Sequence, residues 1–148
     1  MSIAETTHSS SRTLVVIPNY NGLRFLPDCM AALAAQTVQD FTVLVIDNAS
    51  GAEDVTWLKH WQAEDPVRRR LQLNAQNLGF SGAVNQGIRQ ALAEHYDFTL
   101  LLNNDTKVRP NFIEALEARM DQDTKGRIFA LSSNCLLYTL TLPTNREV

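Results

Sequence analysis

Four apolar runs return along the chain at nearly even intervals. They begin at Thr13, Phe41, Arg70 and Phe98, so successive starts lie 28, 29 and 28 residues apart. Thr13–Ile17, Phe41–Ile46, Arg70–Leu73 and Phe98–Leu102 are β-branched or Leu-rich with little alternation, as strands read when both faces of a sheet are covered. The gaps carry apolar residues at helical spacing: Leu26, Met30 and Leu33, then Val55, Leu58 and Trp61, then Val84, Ile88, Ala91 and Leu92. Phe112, Leu116 and Met120 mark a fourth helix, with Pro110 fitting its first turn. Strand and helix alternating at this spacing predict βαβ units. The expected fold is therefore α/β, with a mostly parallel, Rossmann-like sheet and helices on both faces. Ile128–Leu131, continuing through Leu136-Leu137-Tyr138, predicts a further strand. Residues 139–148 show no pattern, and the Ser/Thr-rich residues 1–12 are expected to be a disordered lead-in. That leaves one domain over residues 13–138.

Composition changes this picture little. A chain of 148 residues suffices for one domain with a real core. A net charge of −3 gives no hint of nucleic-acid binding, and an anionic ligand would need a metal, helix N-termini or a local basic patch. Cys29 and Cys135 lie far apart with no Cys-x-x-Cys pair, which points to reduced thiols and a cytoplasmic setting. Residues 1–12 lack the apolar core of a signal peptide, and no apolar run reaches membrane-spanning length. Peripheral attachment to a membrane stays open.

In sheets of this kind, ligands collect at the carboxyl ends of the strands. The first tip, Pro18-Asn19-Tyr20-Asn21-Gly22, lacks both the dinucleotide glycine fingerprint and the Gly-Lys-Ser/Thr of a phosphate loop. Tyr20 offers a flat face for a nucleobase, or simply covers the sheet edge. At the second tip, Asp47-Asn48-Ala49-Ser50, a carboxylate can accept the imide N–H of uracil or thymine. Equally, it can form an Asx-turn, with Asn48 or Ser50 capping the next helix. The third tip is Asn74 followed by Asn77-Leu78-Gly79-Phe80-Ser81-Gly82. There Gly79 and Gly82 permit close backbone approach, and a helix starting at Ser81 would favour phosphate. A loop with a Ser cap is the plain alternative, and Asn85 on the first turn faces ligand or solvent. At the fourth tip, Asn103-Asn104-Asp105-Thr106, Asn103 and Asp105 point the same way. A hard cation is often held by one or two carboxylates plus phosphates, although an Asn/Asp turn alone explains such a tip. His8, His60 and His95 form no ligand set. Arg68–Arg70 read as a solvated turn with phosphate contact as the alternative, Trp57 and Trp61 as packing, and Cys29 as a small core residue.

Together these stretches resemble family-two glycosyltransferases of the GT-A fold, with the closest likeness to the rhamnosyltransferase-like branch. The resemblance runs through Val16–Gly22, Leu26-Pro27 to Gln36-Thr37, Val45–Ser50, Asn77–Gly82 with Asn85-Gln86-Gly87, and Leu100–Thr106 with Pro110-Asn111-Phe112. It covers most of residues 13–120. It implies a nucleoside-diphospho-sugar donor, UDP- or dTDP-linked, with dTDP-rhamnose a candidate. Pro18, Asn19 and Tyr20 would line the base, with Tyr20 stacking, and Asp47 would hold the imide. Asn77, Gly79, Gly82 and Asn85 would border the sugar-diphosphate. Asn103 to Asp105 occupies the Asp-x-Asp position, where Asn103 and Asn104 bind donor and Asp105 binds Mg²⁺ or Mn²⁺. Asn103 departs from the simplest pattern and removes one negative charge.

The family inverts the anomeric centre, and the acceptor would be a saccharide or a lipid-linked carrier of cell-surface polysaccharide synthesis. The expected location is cytoplasmic, with the inner face of the membrane open. The family's general base is an acidic residue well beyond Asp-x-Asp. Glu114, Glu117, Asp121, Asp123 and Glu147 are the acids after Asp105, and none is assigned that role. The expectation is the donor half of a longer enzyme, incomplete at its C-terminus. A non-catalytic nucleotide-sugar-binding or interaction module of the same fold is the alternative. A receiver-like domain is disfavoured, since Asn19 and Asn21 stand where its acidic cluster belongs. Without a covering partner, the Ile128–Tyr138 run is expected to drive self-association.

Overall fold

The structure is a computed structural model that describes residues 11–128 and 130–132. The chain divides into two compact units. The first takes the described residues up to Leu23 together with Asp40–Asn103, and the second takes Arg24–Gln39 together with the described residues from Asn104 onward.

The first unit is a parallel βαβ sheet. Its strands are β1 (Thr13–Asn19), β2 (Phe41–Asp47), β3 (Arg69–Leu73) and β4 (Phe98–Leu101), in the order β3-β2-β1-β4. In register, Thr13 pairs with Phe41 and with Phe98, and Val43 pairs with Arg69. The helices of this unit are α2 (Ala52–Glu64) and α3 (Gly79–Ala93). The second unit carries α1 (Leu26–Ala34) and α4 (Phe112–Asp121). The predicted strand–helix alternation is the observed one.

β1 and β2 are central and almost wholly buried, which is why both read as unbroken apolar runs. Leu14, Val16, Leu44 and Ile46 pack against Ala83 and Ala91 of α3, with Tyr96 beside them. The approach is close: a Cβ on Gly87 would stand 2.3 Å from Val16 Cγ1, so glycine lets α3 lie down on β1. Right-handed crossovers leave β2 in one direction and return from β3 in the other, which puts α2 on the face opposite α3. α2 packs on β3 through its buried Leu58 and Trp61, and the Arg69 guanidinium lies over the Trp61 ring.

Several boundaries differ from the pattern-based reading. α3 begins at Gly79 rather than Ser81, so Asn85 falls on its second turn. Pro110 precedes the N-cap Asn111 instead of opening α4, and the fully buried residue of α4 is Ile113 rather than Phe112. Leu92 is 72% exposed and leaves the α3 stripe. Ile128 and residues 130–132 are not in a strand. The rest of the predicted fifth run, the 139–148 tail and most of the 1–12 lead-in lie outside the described residues. Among the described residues, no helix is long and apolar enough to cross a membrane.

Candidate functional site

In the first unit the polar candidates stand at the carboxyl ends of the strands, and the first two tips are laced together. Asn19 and Asp47 are each only 1% exposed. Asn19 Nδ2 donates to Asp47 Oδ1 at 2.8 Å, and to Ser50 Oγ and Asp54 Oδ1 at 3.3 Å. Asp47 Oδ2 accepts the Ser50 N–H at 3.0 Å, while the Asn48 N–H donates to the Asn19 carbonyl at 2.8 Å. Asn21 adds two links, its N–H to Ser50 Oγ at 2.8 Å and its Oδ1 from the Gly51 N–H at 2.9 Å. This lacing holds Asn21 and Ala49 in left-handed backbone, with φ of 49° and 62°. Such a conformation is costly for alanine and clusters at functional loops.

Both Asp47 oxygens are therefore engaged by the chain itself and face inward. Pro18 is half-buried and Tyr20 is 56% exposed. Neither Asn48 nor Ser50 caps α2; its N-cap is Gly51. Asp54 was not singled out from the sequence, yet it joins the network and also accepts the Leu23 N–H at 3.0 Å.

The third tip is fixed by an amide network that local sequence does not show. Asn48 Nδ2 donates to the Gly79 carbonyl at 3.0 Å, and its Oδ1 accepts Asn74 Nδ2 at 2.9 Å. Asn74 in turn exchanges bonds with Gln86 at 2.8 and 3.0 Å. Asn77 Oδ1 accepts the Gly79 N–H at 2.8 Å, an Asx-turn that starts α3. Gly79 is needed for its φ of 74°, and Gly82 because a Cβ there would meet Leu78 Cβ at 2.7 Å. Asn77, Phe80, Ser81 and Asn85 are exposed. Arg68, Arg69 and Arg70 pair with Asp65, Glu64 and Glu94 respectively, so the basic run is spent on internal carboxylates. Asn103 closes this unit, exposed just beyond β4.

In the second unit Asn104 is half-buried and Asp105 exposed. Adjacent Lys107 Nζ pairs with Asp28 at 2.7 Å rather than with Asp105. The buried Cys29 thiol is bonded to the Thr106 backbone, and burial together with the Asp105 charge pushes its pKa up to about 11. Gln36 is buried beneath the same segment. Its Nε2 donates to the carbonyls of Arg109 at 2.8 Å and Ala32 at 3.1 Å, and its Oε1 accepts the Ile113 N–H at 3.1 Å. Among the described residues no three His, Cys, Asp or Glu side chains gather as a metal set. One exposed carboxylate beside amides fits a hard cation shared with a ligand's phosphates, not a closed protein cage. His60 lies near Glu64 on the exposed side of α2, and His95 follows the C-cap of α3 at a φ of 58°.

A family model described as glycosyl transferase family 2 matches residues 14–140. Among curated proteins, an undecaprenyl-phosphate mannosyltransferase of Micrococcus luteus is 31% identical over 105 residues, covering 71% of this chain and 42% of that protein. An uncharacterised glycosyltransferase of Nostoc is 30% identical over 69% of this chain and 30% of its own length. The chain thus spans less than half the length of these relatives. Among solved structures, S. aureus TarS 1-349 in complex with UDP-GlcNAc superimposes with a TM-score of 0.66 at 18% identity, over 82% of this chain and 37% of that one. A mannosyltransferase from Pyrobaculum calidifontis in complex with GDP-Man and Mn²⁺ gives 0.56 at 19% identity, over 66% and 28%. These likenesses place the sheet and helices in the GT-A fold.

Proposed function

From a chain that belongs to glycosyl transferase family 2, we infer the donor-binding part of an enzyme that moves a sugar from a nucleoside diphosphate to an acceptor hydroxyl, with inversion. The observation that carries this reading is the arrangement of the first unit: its polar candidates sit on the carboxyl tips of parallel strands, where such folds bind ligands. The donors named in the similar structures, UDP-GlcNAc and GDP-Man, support a nucleotide sugar. UDP and dTDP are the favoured carriers, and rhamnose is one candidate sugar. A lipid-linked acceptor agrees with the name of the Micrococcus relative.

The residues divide the work. Tyr20, exposed above the laced tips, stacks on the base beside Pro18. Asn19 and Asp47 act from beneath, fixing the shape of that floor through their mutual bond. The Asx-turn at Asn77 and the first turn of α3 through Gly82, with Asn85, present backbone and amide donors to the sugar-diphosphate. Asn103 and Asn104 supply further amides. Asp105 would hold Mg²⁺ or Mn²⁺, which when bound neutralises charge on the departing diphosphate. None of Glu114, Glu117, Asp121 or Asp123 is assigned as base. Thr37 Oγ1 donates to Glu114 at 2.6 Å, giving that carboxylate a structural partner.

The test is calorimetric titration with UDP, dTDP and GDP, each with and without Mn²⁺. UDP or dTDP is expected to bind more tightly with Mn²⁺, and Asp105→Ala to remove the gain. Equal affinity with and without metal would defeat the metal assignment. A metal-stimulated hydrolysis of UDP-sugar distinguishes an enzyme from a module that only binds.

A further inference from the structure

We propose that Gln36 is a positioning residue for the Asp105 carboxylate. The proposal rests on the assignment of Asp105 as the metal ligand and explains how a single exposed side chain is held in place for that task.

Within the second unit, residues 106–110 are fastened to α1 and the residues after it at successive points. Cys29 bonds the Thr106 backbone, Asp28 pairs with Lys107, and Val108 is buried. The Arg109 carbonyl accepts Gln36 Nε2, and the Pro110 carbonyl accepts the Thr37 N–H at 2.7 Å. The Asp28–Lys107 pair is exposed and therefore weak. Gln36 differs from it. The residue is 5% exposed and uses both ends of its amide, one on Arg109 before α4 and one on the first turn of α4 at Ile113. One buried amide thereby sets both the segment leading back to Asp105 and the helix that follows it. Removing it would orphan the buried Ile113 N–H and leave the Arg109 carbonyl with the Phe112 N–H alone, so the segment would shift to find new partners. A carboxylate that shares its cation with a ligand tolerates little such drift, because supporting contacts set metal affinity by about 10–100-fold.

The probe is UDP with Mn²⁺, and the readout is the gain in affinity that Mn²⁺ confers over UDP alone. Gln36→Met keeps the side-chain length and removes the amide. It is expected to cut the gain about tenfold or more while leaving metal-free UDP affinity as in the wild type. Gln36→Glu keeps the acceptor for Ile113 and loses the donor to Arg109, so it should fall between the two and serves if the Met variant does not fold. A purely structural role would lower the melting temperature of a folded variant and leave the gain intact, which overturns the proposal. Asp105→Ala separates the two levels. If it abolishes the gain while both Gln36 variants keep it, the Gln36 step alone fails. If the gain survives Asp105→Ala, the metal assignment fails and this inference with it.

Discussion

At the scale of single residues, burial sets two residues of the laced first and second tips to different tasks. Asp47 is sealed, and its oxygens hold Asn19 Nδ2 and the Ser50 N–H. Tyr20 is more than half exposed and open to a planar ligand. Hydrogen bonds to a charged group contribute about 1.5–3 kcal/mol each, and a truncation also leaves the donors unpaired. Asp47→Ala should therefore lower unfolding free energy by about 3 kcal/mol in urea denaturation, with the Ala49 strain released as the tip loosens. Tyr20→Ala should leave stability within about 0.5 kcal/mol, as for a surface site. It should weaken UDP binding by roughly tenfold, since stacking on an aromatic ring contributes about 1–3 kcal/mol per base. A Tyr20 variant that binds UDP like the wild type would exclude stacking. The sequence offered an imide acceptor or an Asx-turn for the acid at this strand tip, and the Ser50 N–H on Asp47 Oδ2 is a turn contact of the second kind. The bond from Asn19, 28 residues away in the chain, was not legible there.

At the scale of elements, Gly87 tests how α3 is seated. Alanine in a helix interior is favoured over glycine by about 0.5–1 kcal/mol. Here its Cβ would stand 2.3 and 2.7 Å from the two methyl carbons of Val16, a fully buried side chain on β1. Overpacking of that kind costs about 1–3 kcal/mol, so the clash wins. Gly87→Ala should lower stability by about 1–2 kcal/mol in a denaturant midpoint, and Gly87→Ala with Val16→Ala should recover part of the clash. A stabilised single variant would show that α3 has room to lift.

The same elements show what the sequence carried. Strand runs came through almost to the residue, because β1 and β2 are buried on both faces and need apolar side chains at nearly every position. Helix starts did not. α3 begins where Asn48 Nδ2, 31 residues away, holds the Gly79 carbonyl, and α4 begins where Gln36, 77 residues away, receives the Ile113 N–H. Leu92 fits a helical stripe by spacing alone, yet it is 72% exposed.

At the scale of the molecule, the register of β4 places an apolar side chain at the margin of the helical cover. Thr99 and Leu101 pair with Leu14 and Val16, so their side chains point to the face that α3 covers. α3 is seated over β1 and β2, and Leu101 is left 45% exposed at the edge of that cover. Among the described residues β4 pairs only with β1. An exposed apolar side chain on such a strand is a contact point for another chain. The chain should therefore self-associate with rising concentration, through β4 rather than through the polar tips. Leu101→Glu should shift the light-scattering mass toward the monomer. A glutamate at the partly exposed β4 edge keeps its charge in water, so the fold should tolerate it at a cost of about 1 kcal/mol. UDP affinity should not change, because Leu101 lies outside the proposed base and diphosphate contacts. If the wild-type chain stays monomeric across the concentration range, the β4 face is closed in solution. If it associates and Leu101→Glu associates equally, the contact lies elsewhere, with exposed Phe80 and Leu78 beside the third tip the next surface to alter. In that case UDP should compete with association, a dependence that the β4 contact does not have.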